Sequence, residues 1–226
     1  MKKKSIVKMI VDLIMTILLP LLMIQALAGG KMHEWIGIYM FLLFVTHHIL
    51  NFNWHKTLLK GKYNVVRSLG TVMNAGILIC MILSAISGIL LSQYVFVFLD
   101  INQGISFARA AHMICTHWMF VLTSFHLGMH MKIMKGYMEQ AWGKKLGTVS
   151  SRLFTILFAV IGVYGLKVFI DTKLWQYMFY QAQFMFYDFN RMAFGVYLDY
   201  VSMMVLFAVI GYFASDRLKK ISKPKK

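Results

Sequence analysis

Acidic residues are scarce in this sequence, since eight Asp and Glu stand against 24 Lys and Arg, giving a formal net charge of +16. The two cysteines, Cys80 and Cys115, lie in long apolar stretches and do not indicate a disulfide framework. Neither belongs to a Cys-x-x-Cys-His motif, which excludes covalent attachment of a c-type haem. Glycine-rich phosphate loops, nucleophile elbows and metalloprotease motifs are also absent. The sequence therefore predicts no flavin or nicotinamide domain within these 226 residues, and any redox partner must be a separate molecule.

Apolar residues dominate instead, at 59% of the chain. Long, nearly uncharged runs separated by short basic clusters are typical of a polytopic membrane protein. They predict an all-α bundle of six transmembrane helices in a single membrane domain, residues 1–226. The first run ends in Ala26-Leu27-Ala28, which resembles a signal cleavage site, but its length favours a retained span. The predicted spans cover approximately 5–28, 33–54, 70–95, 107–131, 153–170 and 196–214.

The location of the positive charge predicts the orientation of these helices. Basic clusters at 2–8, 56–67, 132–152 and 217–226 alternate with connections that are poor in Lys and Arg. The positive-inside rule then places both termini inside a prokaryotic cytoplasmic membrane, with anionic lipids rather than nucleic acid as partners. Residues 171–195 are rich in aromatics but interrupted by charges, which predicts an interfacial helix on the outer face, and this stretch is the best candidate for an exchange surface.

Histidines inside two of the predicted spans are the main functional signal, because ionisable side chains are costly in a bilayer. Span two carries His33 and His47, and span four carries His112 and His126, in each case 14 residues apart. On a helix this spacing turns the two side chains to nearly the same face with a rise of about 21 Å. Spans two and four run in the same direction, so His33 would face His112 at the outer level. His47 would face His126 at the inner level, and neutral imidazoles at two levels predict bis-histidine ligation of two b haems.

The choice of ligands stays open at this point. His48 competes with its neighbour His47. His117 and His130 are 13 residues apart and form a second candidate pair on span four. His130 also shares a helix face with His126, so it is alternatively a propionate contact or an interfacial residue.

Several other residues are secondary candidates. Arg109 precedes His112 by one helical turn and could pair with an outer-haem propionate, although ordinary interfacial anchoring is the favoured interpretation. Gly37 and Gly128 could let a porphyrin approach the backbone, or could serve helix packing. Asp12 in span one is expected to be a satisfied polar residue, with a proton role as the alternative.

The same histidines allow two other functions. Imidazole also suits transition-metal ions, so a metal or proton-coupled transporter is one alternative. A second is a structural subunit that anchors a redox complex in the membrane.

The segments HEWIG (33–37) and HHILN (47–51), with HM, HW and FHLGMH between 112 and 130, resemble the flavinylation-associated cytochrome family. The resemblance covers about residues 5–135, and no motif of the C-terminal helices, about 153–214, takes part in it. More distantly, the chain is similar to dihaem cytochromes b and ferric-reductase transmembrane domains. The resemblance implies two b haems within about 33–131, ligated by His33, His47, His112 and His126. It also implies electron transfer from a membrane quinol or inner donor to an extracytosolic, often flavin-carrying, acceptor.

Overall fold

The structure is a computed structural model that describes residues 3–25, 29–142, 147–186 and 188–221. Within these ranges the chain is helical and contains no strand, in agreement with the predicted all-α class. The cleavage-like residues Ala26, Leu27 and Ala28 lie outside the described residues. In chain order the helices are α1 (Lys3–Leu22), α2 (Gly30–Leu50), α3 (Phe52–Thr57), α4 (Val65–Leu90), α5 (Ile105–Met129), α6 (Met131–Trp142), α7 (Thr148–Asp171), α8 (Leu174–Met178) and α9 (Ala193–Ile221), with a 3₁₀ turn at Val97–Leu99.

Four of the described helices, α1, α4, α7 and α9, are both long enough and apolar enough to cross a membrane. They correspond to predicted spans one, three, five and six, so the chain has the character of a membrane protein. Helices α2 and α5, which carry the histidines, are not among these four. Their 21 and 25 residues nevertheless correspond to about 32 and 38 Å, which is enough for a hydrocarbon core of about 30 Å.

The exposed surface of the bundle supports a lipid environment. Large apolar side chains point outward in the middle of long helices, for example Val72 at 68%, Ile156 at 60% and Val163 at 70% exposure. Apolar surface on this scale is unfavourable in water but suits hydrocarbon. The inward faces pack around fully buried residues such as Phe120 and Met203.

Glycine residues bring α5, α7 and α9 into close contact. A Cβ atom on Gly128 of α5 would lie 1.8 Å from the carbonyl oxygen of Ala208 in α9, and one on Gly165 would lie 2.1 Å from that of Ser202. Only glycine permits backbones to approach this closely, as is common between membrane helices. Helix α5 also packs along α4, whereas α2 packs mainly on α1 and has no extensive backbone contact with α5.

The predicted interfacial helix between spans five and six is wrong over most of its length. Helix α8 covers only Leu174–Met178, and the described residues that follow it up to Met192 form turns and irregular chain. Lys173 and Tyr180 adopt left-handed backbone conformations, with φ of 49° and 53°, and therefore interrupt any continuous helix on both sides of α8. Phe184, Phe186 and other aromatic side chains are exposed in this stretch.

Candidate functional site

His33 of α2 and His112 of α5 face each other and form the first histidine level. Their ring centroids lie 6.2 Å apart, and the rings are inclined by 70°. Two imidazoles on opposite sides of one metal ion, each bonded at about 2.0 Å through nitrogen, would have their centroids about 6.3 Å apart. The spacing of the two rings therefore suits a single iron atom between them.

Hydrogen bonds to α4 fix the orientation of His112. Its Nδ1 lies 3.1 Å from the carbonyl oxygen of Ser84 and 3.1 Å from Oγ of Ser87. The hydroxyl of Ser87 itself donates to the carbonyl of Leu83 at 2.6 Å. A carbonyl only accepts, so Nδ1 of His112 carries the proton and Nε2 keeps its lone pair. Metal-ligating histidines are typically oriented in this way, by a hydrogen bond from the ring nitrogen that does not bind the metal.

Glu34 holds the start of α2 against the loop that follows α4. Its carboxylate accepts hydrogen bonds from Oγ of Ser92 at 2.6 Å and from the backbone N–H groups of Gln93 at 2.7 Å and Val95 at 2.9 Å. A further, longer bond comes from the N–H of Tyr94. Since His33 precedes Glu34, these bonds fix the height of His33 relative to the end of α4. No sequence motif indicates this role of Glu34, although it is an acidic residue next to a candidate ligand in an acid-poor chain.

His33 has a buried Nδ1 atom with no hydrogen-bond partner among the described residues. Nδ1 of His126 and Nε2 of His117 share this property. A buried polar atom without a partner costs about 1–3 kcal/mol, so such atoms in a native protein require an explanation. A ligand that occupies the space next to these rings would supply one.

His47 of α2 is held by Asp12 of α1 at the second histidine level, which comprises His47 and His126. The distance from Nδ1 of His47 to Oδ1 of Asp12 is 2.6 Å. Because a carboxylate accepts the Nδ1 proton, the lone pair of His47 lies on Nε2, where Asn51 makes only a long contact of 3.4 Å. Lys8 of α1 donates to Oδ1 of Asn51 at 2.7 Å and completes this group. Asp12 is thus a satisfied polar residue, as expected, and its partner is a candidate ligand.

His126 of α5 lies within electrostatic range of His47 and Asp12. Its ring also contacts that of His130, with centroids 4.6 Å apart, as the four-residue spacing predicts. His130 is exposed and follows the last residue of α5. The second level therefore combines two contacting pairs, His47 with Asp12 and His126 with His130, whereas the first level is the single pair of His33 and His112.

The competing histidines have other surroundings. Nδ1 of His48 lies 2.9 Å from Nε2 of His55, and the ring of His48 packs on Phe44. His117 donates from Nδ1 to the carbonyl of Met113 at 2.7 Å and stacks on Tyr177 of α8 at 5.3 Å. His48 is thus tied to another histidine, while His117 points towards α8 and not towards His130.

The secondary candidates Gly37, Gly128 and Arg109 have different surroundings. A Cβ atom on Gly37 would meet nothing within 4 Å, so the backbone of α2 is open beside the first level. Gly128 instead has its open side filled by Ala208, which assigns it to the packing of α5 on α9. Arg109 is exposed, and its guanidinium lies 5.9 Å from the ring of Phe184.

Among the described residues, no three His, Cys, Asp or Glu side chains converge to hold a metal ion. A haem needs only two protein ligands, because the porphyrin supplies the other four. Three features fit that requirement: the pairing of His33 with His112, the unpartnered buried Nδ1 atoms of His33 and His126, and the open backbone at Gly37. No family model, curated protein or solved structure matches the chain.

Proposed function

We propose that this chain is a transmembrane electron-transfer cytochrome that binds two b haems, one at each histidine level. The ligands are His33 and His112 at the first level and His47 and His126 at the second. The observation that carries the proposal is the facing of His33 and His112 with their centroids 6.2 Å apart. When bound, such haems would accept and release single electrons.

The protein residues serve to hold the imidazoles in one tautomer and one orientation. Ser84 accepts from Nδ1 of His112, and Asp12 accepts from Nδ1 of His47, so that each Nε2 is available as a ligand. Two histidines per iron leave no open coordination position for oxygen or substrate. The proposed activity is therefore electron relay, with no catalytic residue in this chain.

The relay would connect the two sides of a prokaryotic cytoplasmic membrane. We place α1, α2, α4, α5, α7 and α9 as six spans, with both termini inside according to the basic clusters. The two levels are separated by 14 residues on each histidine helix, a rise of about 21 Å in a core of about 30 Å. Electrons would pass from a membrane quinol or an inner donor to an outer acceptor, for which an extracytosolic flavoprotein is our candidate. The exposed aromatic chain after α8 is the candidate contact surface.

The second level also supports the alternative of a proton-coupled or metal transporter. Asp12 is bonded to His47, and the ring of His126 contacts that of the exposed His130. His126 also lies within electrostatic range of His47 and Asp12. Such chains are typical of proton relays in membrane proteins. At the first level the neighbouring carboxylate of Glu34 is instead occupied by hydrogen bonds from Ser92 and the loop after α4, and this level therefore favours haem.

Ligand variants of the full-length protein, purified after expression with added haem, test the proposal. We expect His33→Ala and His112→Ala each to lower the haem content from two to one per chain in a pyridine haemochrome assay. His55→Ala is the matched control, because it removes a histidine outside both levels. Unchanged haem content in both ligand variants would refute the assignment. Colourless wild-type protein with histidine-dependent metal uptake would favour the transporter, and colourless protein without uptake would favour a structural anchor.

A further inference from the structure

A basic cleft opens at the end of the bundle where α4 begins, α6 begins and α9 ends. It has a volume of about 660 Å³. Four cationic side chains and one carboxylate contribute to its wall, together with the amide of Asn64: Arg67, Lys132, Lys219, Lys220 and Asp216. We call this the basic cleft, and it lies outside both histidine levels.

The one carboxylate in the basic cleft is already fully engaged. Asp216 accepts from Nζ of Lys132 at 2.5 Å and pairs with Nζ of Lys220 at 2.9 Å. The hydrogen bond from Lys132 to Asp216 raises the pKa of that lysine, so it stays charged at neutral pH. Among the described residues that line the cleft, one carboxylate offsets one of four positive charges, which leaves a charge of about +3.

Arg67 and Lys219 differ in the hydrogen-bond donors that they can offer to a ligand. Arg67 directs its guanidinium at the backbone carbonyls of Thr57 and Lys60, at 2.6 and 2.7 Å, so it contributes charge but few free donors. Lys219 forms no ion pair within the described part of the chain and lies in electrostatic range of His130. The ammonium groups of Lys132, Lys219 and Lys220 are thus the donors available to an anion.

The position of the cleft indicates which anion it meets. Helices α4 and α9 are both candidate membrane spans, and their ends lie where lipid headgroups begin. Basic pockets between membrane helices suit phosphate headgroups because ammonium groups form charge-assisted hydrogen bonds with phosphate oxygens. We propose that the basic cleft binds the phosphate of an anionic phospholipid headgroup. This site is independent of haem binding.

The test measures lipid binding to the full-length protein in neutral detergent by microscale thermophoresis. Phosphatidylglycerol, phosphatidylcholine and inorganic phosphate are the three probes. We expect phosphatidylglycerol to bind more tightly than phosphatidylcholine, and Lys219→Gln to weaken it about fivefold, since one lysine near a headgroup contributes about that factor. Lys56→Gln removes the same charge outside the cleft and should leave binding unchanged.

Three further variants make the result independent of a folding defect. Lys132→Arg keeps the charge and should keep the preference for phosphatidylglycerol, whereas Lys132→Gln should lose it. Asp216→Asn removes the internal competitor and should strengthen binding, which a merely structural ion-pair cluster would not do. The proposal is overturned if Lys219→Gln behaves like Lys56→Gln, or if inorganic phosphate competes as well as the lipid at equal concentration. Haem content, measured on the same samples, should not change in any of these variants.

Discussion

Replacement of Asp12 by asparagine tests whether His47 is held as a haem ligand. In the wild-type protein the Asp12 carboxylate accepts from Nδ1 of His47 at 2.6 Å. The amide oxygen of asparagine can still accept this hydrogen bond, but the negative charge is lost. Loss of such a partner behind a metal-ligating histidine typically lowers metal affinity about 10- to 100-fold. Because the side chains of His47 and Asp12 are 30% and 47% exposed, we expect the lower end of that range.

The redox potential gives a second and more specific measure of the same change. A carboxylate behind the ligand stabilises the more positive, oxidised iron, so its removal should raise the midpoint potential. If the tenfold loss fell on the oxidised form alone, the shift would be about 59 mV for a one-electron couple. A potentiometric titration of Asp12→Asn should therefore show one haem shifted upward and the other, at His33 and His112, unchanged.

The control for this experiment is Asp171→Asn, which removes the same charge at the end of α7. Within the described part of the chain, Asp171 forms an ion pair with Lys167 at 3.8 Å, and it lies outside both histidine levels. Both haems should keep their content and potentials in this variant. The reasoning is refuted if Asp12→Asn is also indistinguishable from wild type in haem affinity and in both potentials.

Four further variants test individual residues. Gly128→Ala places a Cβ 1.8 Å from the carbonyl of Ala208 and should lower the free energy of unfolding by about 1–3 kcal/mol. Gly37→Ala should leave the thermal unfolding temperature unchanged and lower the haem content. The opposite pattern would contradict the assignment of Gly128 to helix packing and of Gly37 to the haem site. Glu34→Gln weakens the hydrogen bonds to the loop after α4 and should cost about 1–3 kcal/mol in thermal unfolding, and an unchanged unfolding temperature would speak against that anchor. His48→Ala should retain two haems per chain, and loss of one would make His48 the ligand.

Local sequence patterns predicted the helices well, because hydrophobic run length and helical period are properties of one segment. The 14-residue spacing in α2 and α5 depends only on the pitch of a helix, and it placed His33 and His112 at a common level. The break after Leu50 was not predicted, since Asn51 gives little signal within an apolar run. The prediction of an interfacial helix is wrong because the left-handed backbone conformations of Lys173 and Tyr180 depend on the surrounding chain.

Contacts between helices were much harder to predict. The pairing of Asp12 with His47 joins residues 35 positions apart, and nothing in either segment specifies the rotation of α1 against α2. The role of Gly128 likewise depends on which helix packs against it. From the sequence alone, a glycine near a histidine is compatible with a porphyrin approaching the backbone or with helix packing. The structure assigns Gly128 to helix packing, because Ala208 of α9 fills the space beside its Cα atom.

The most direct test of the central claim is the haem content of the purified wild-type protein. A reduced-minus-oxidised absorption spectrum identifies the haem type and its coordination, and a pyridine haemochrome assay gives the number per chain. We predict a low-spin b-type spectrum and two haems per chain. A protein that binds no haem when produced with ample haem supply would contradict the account.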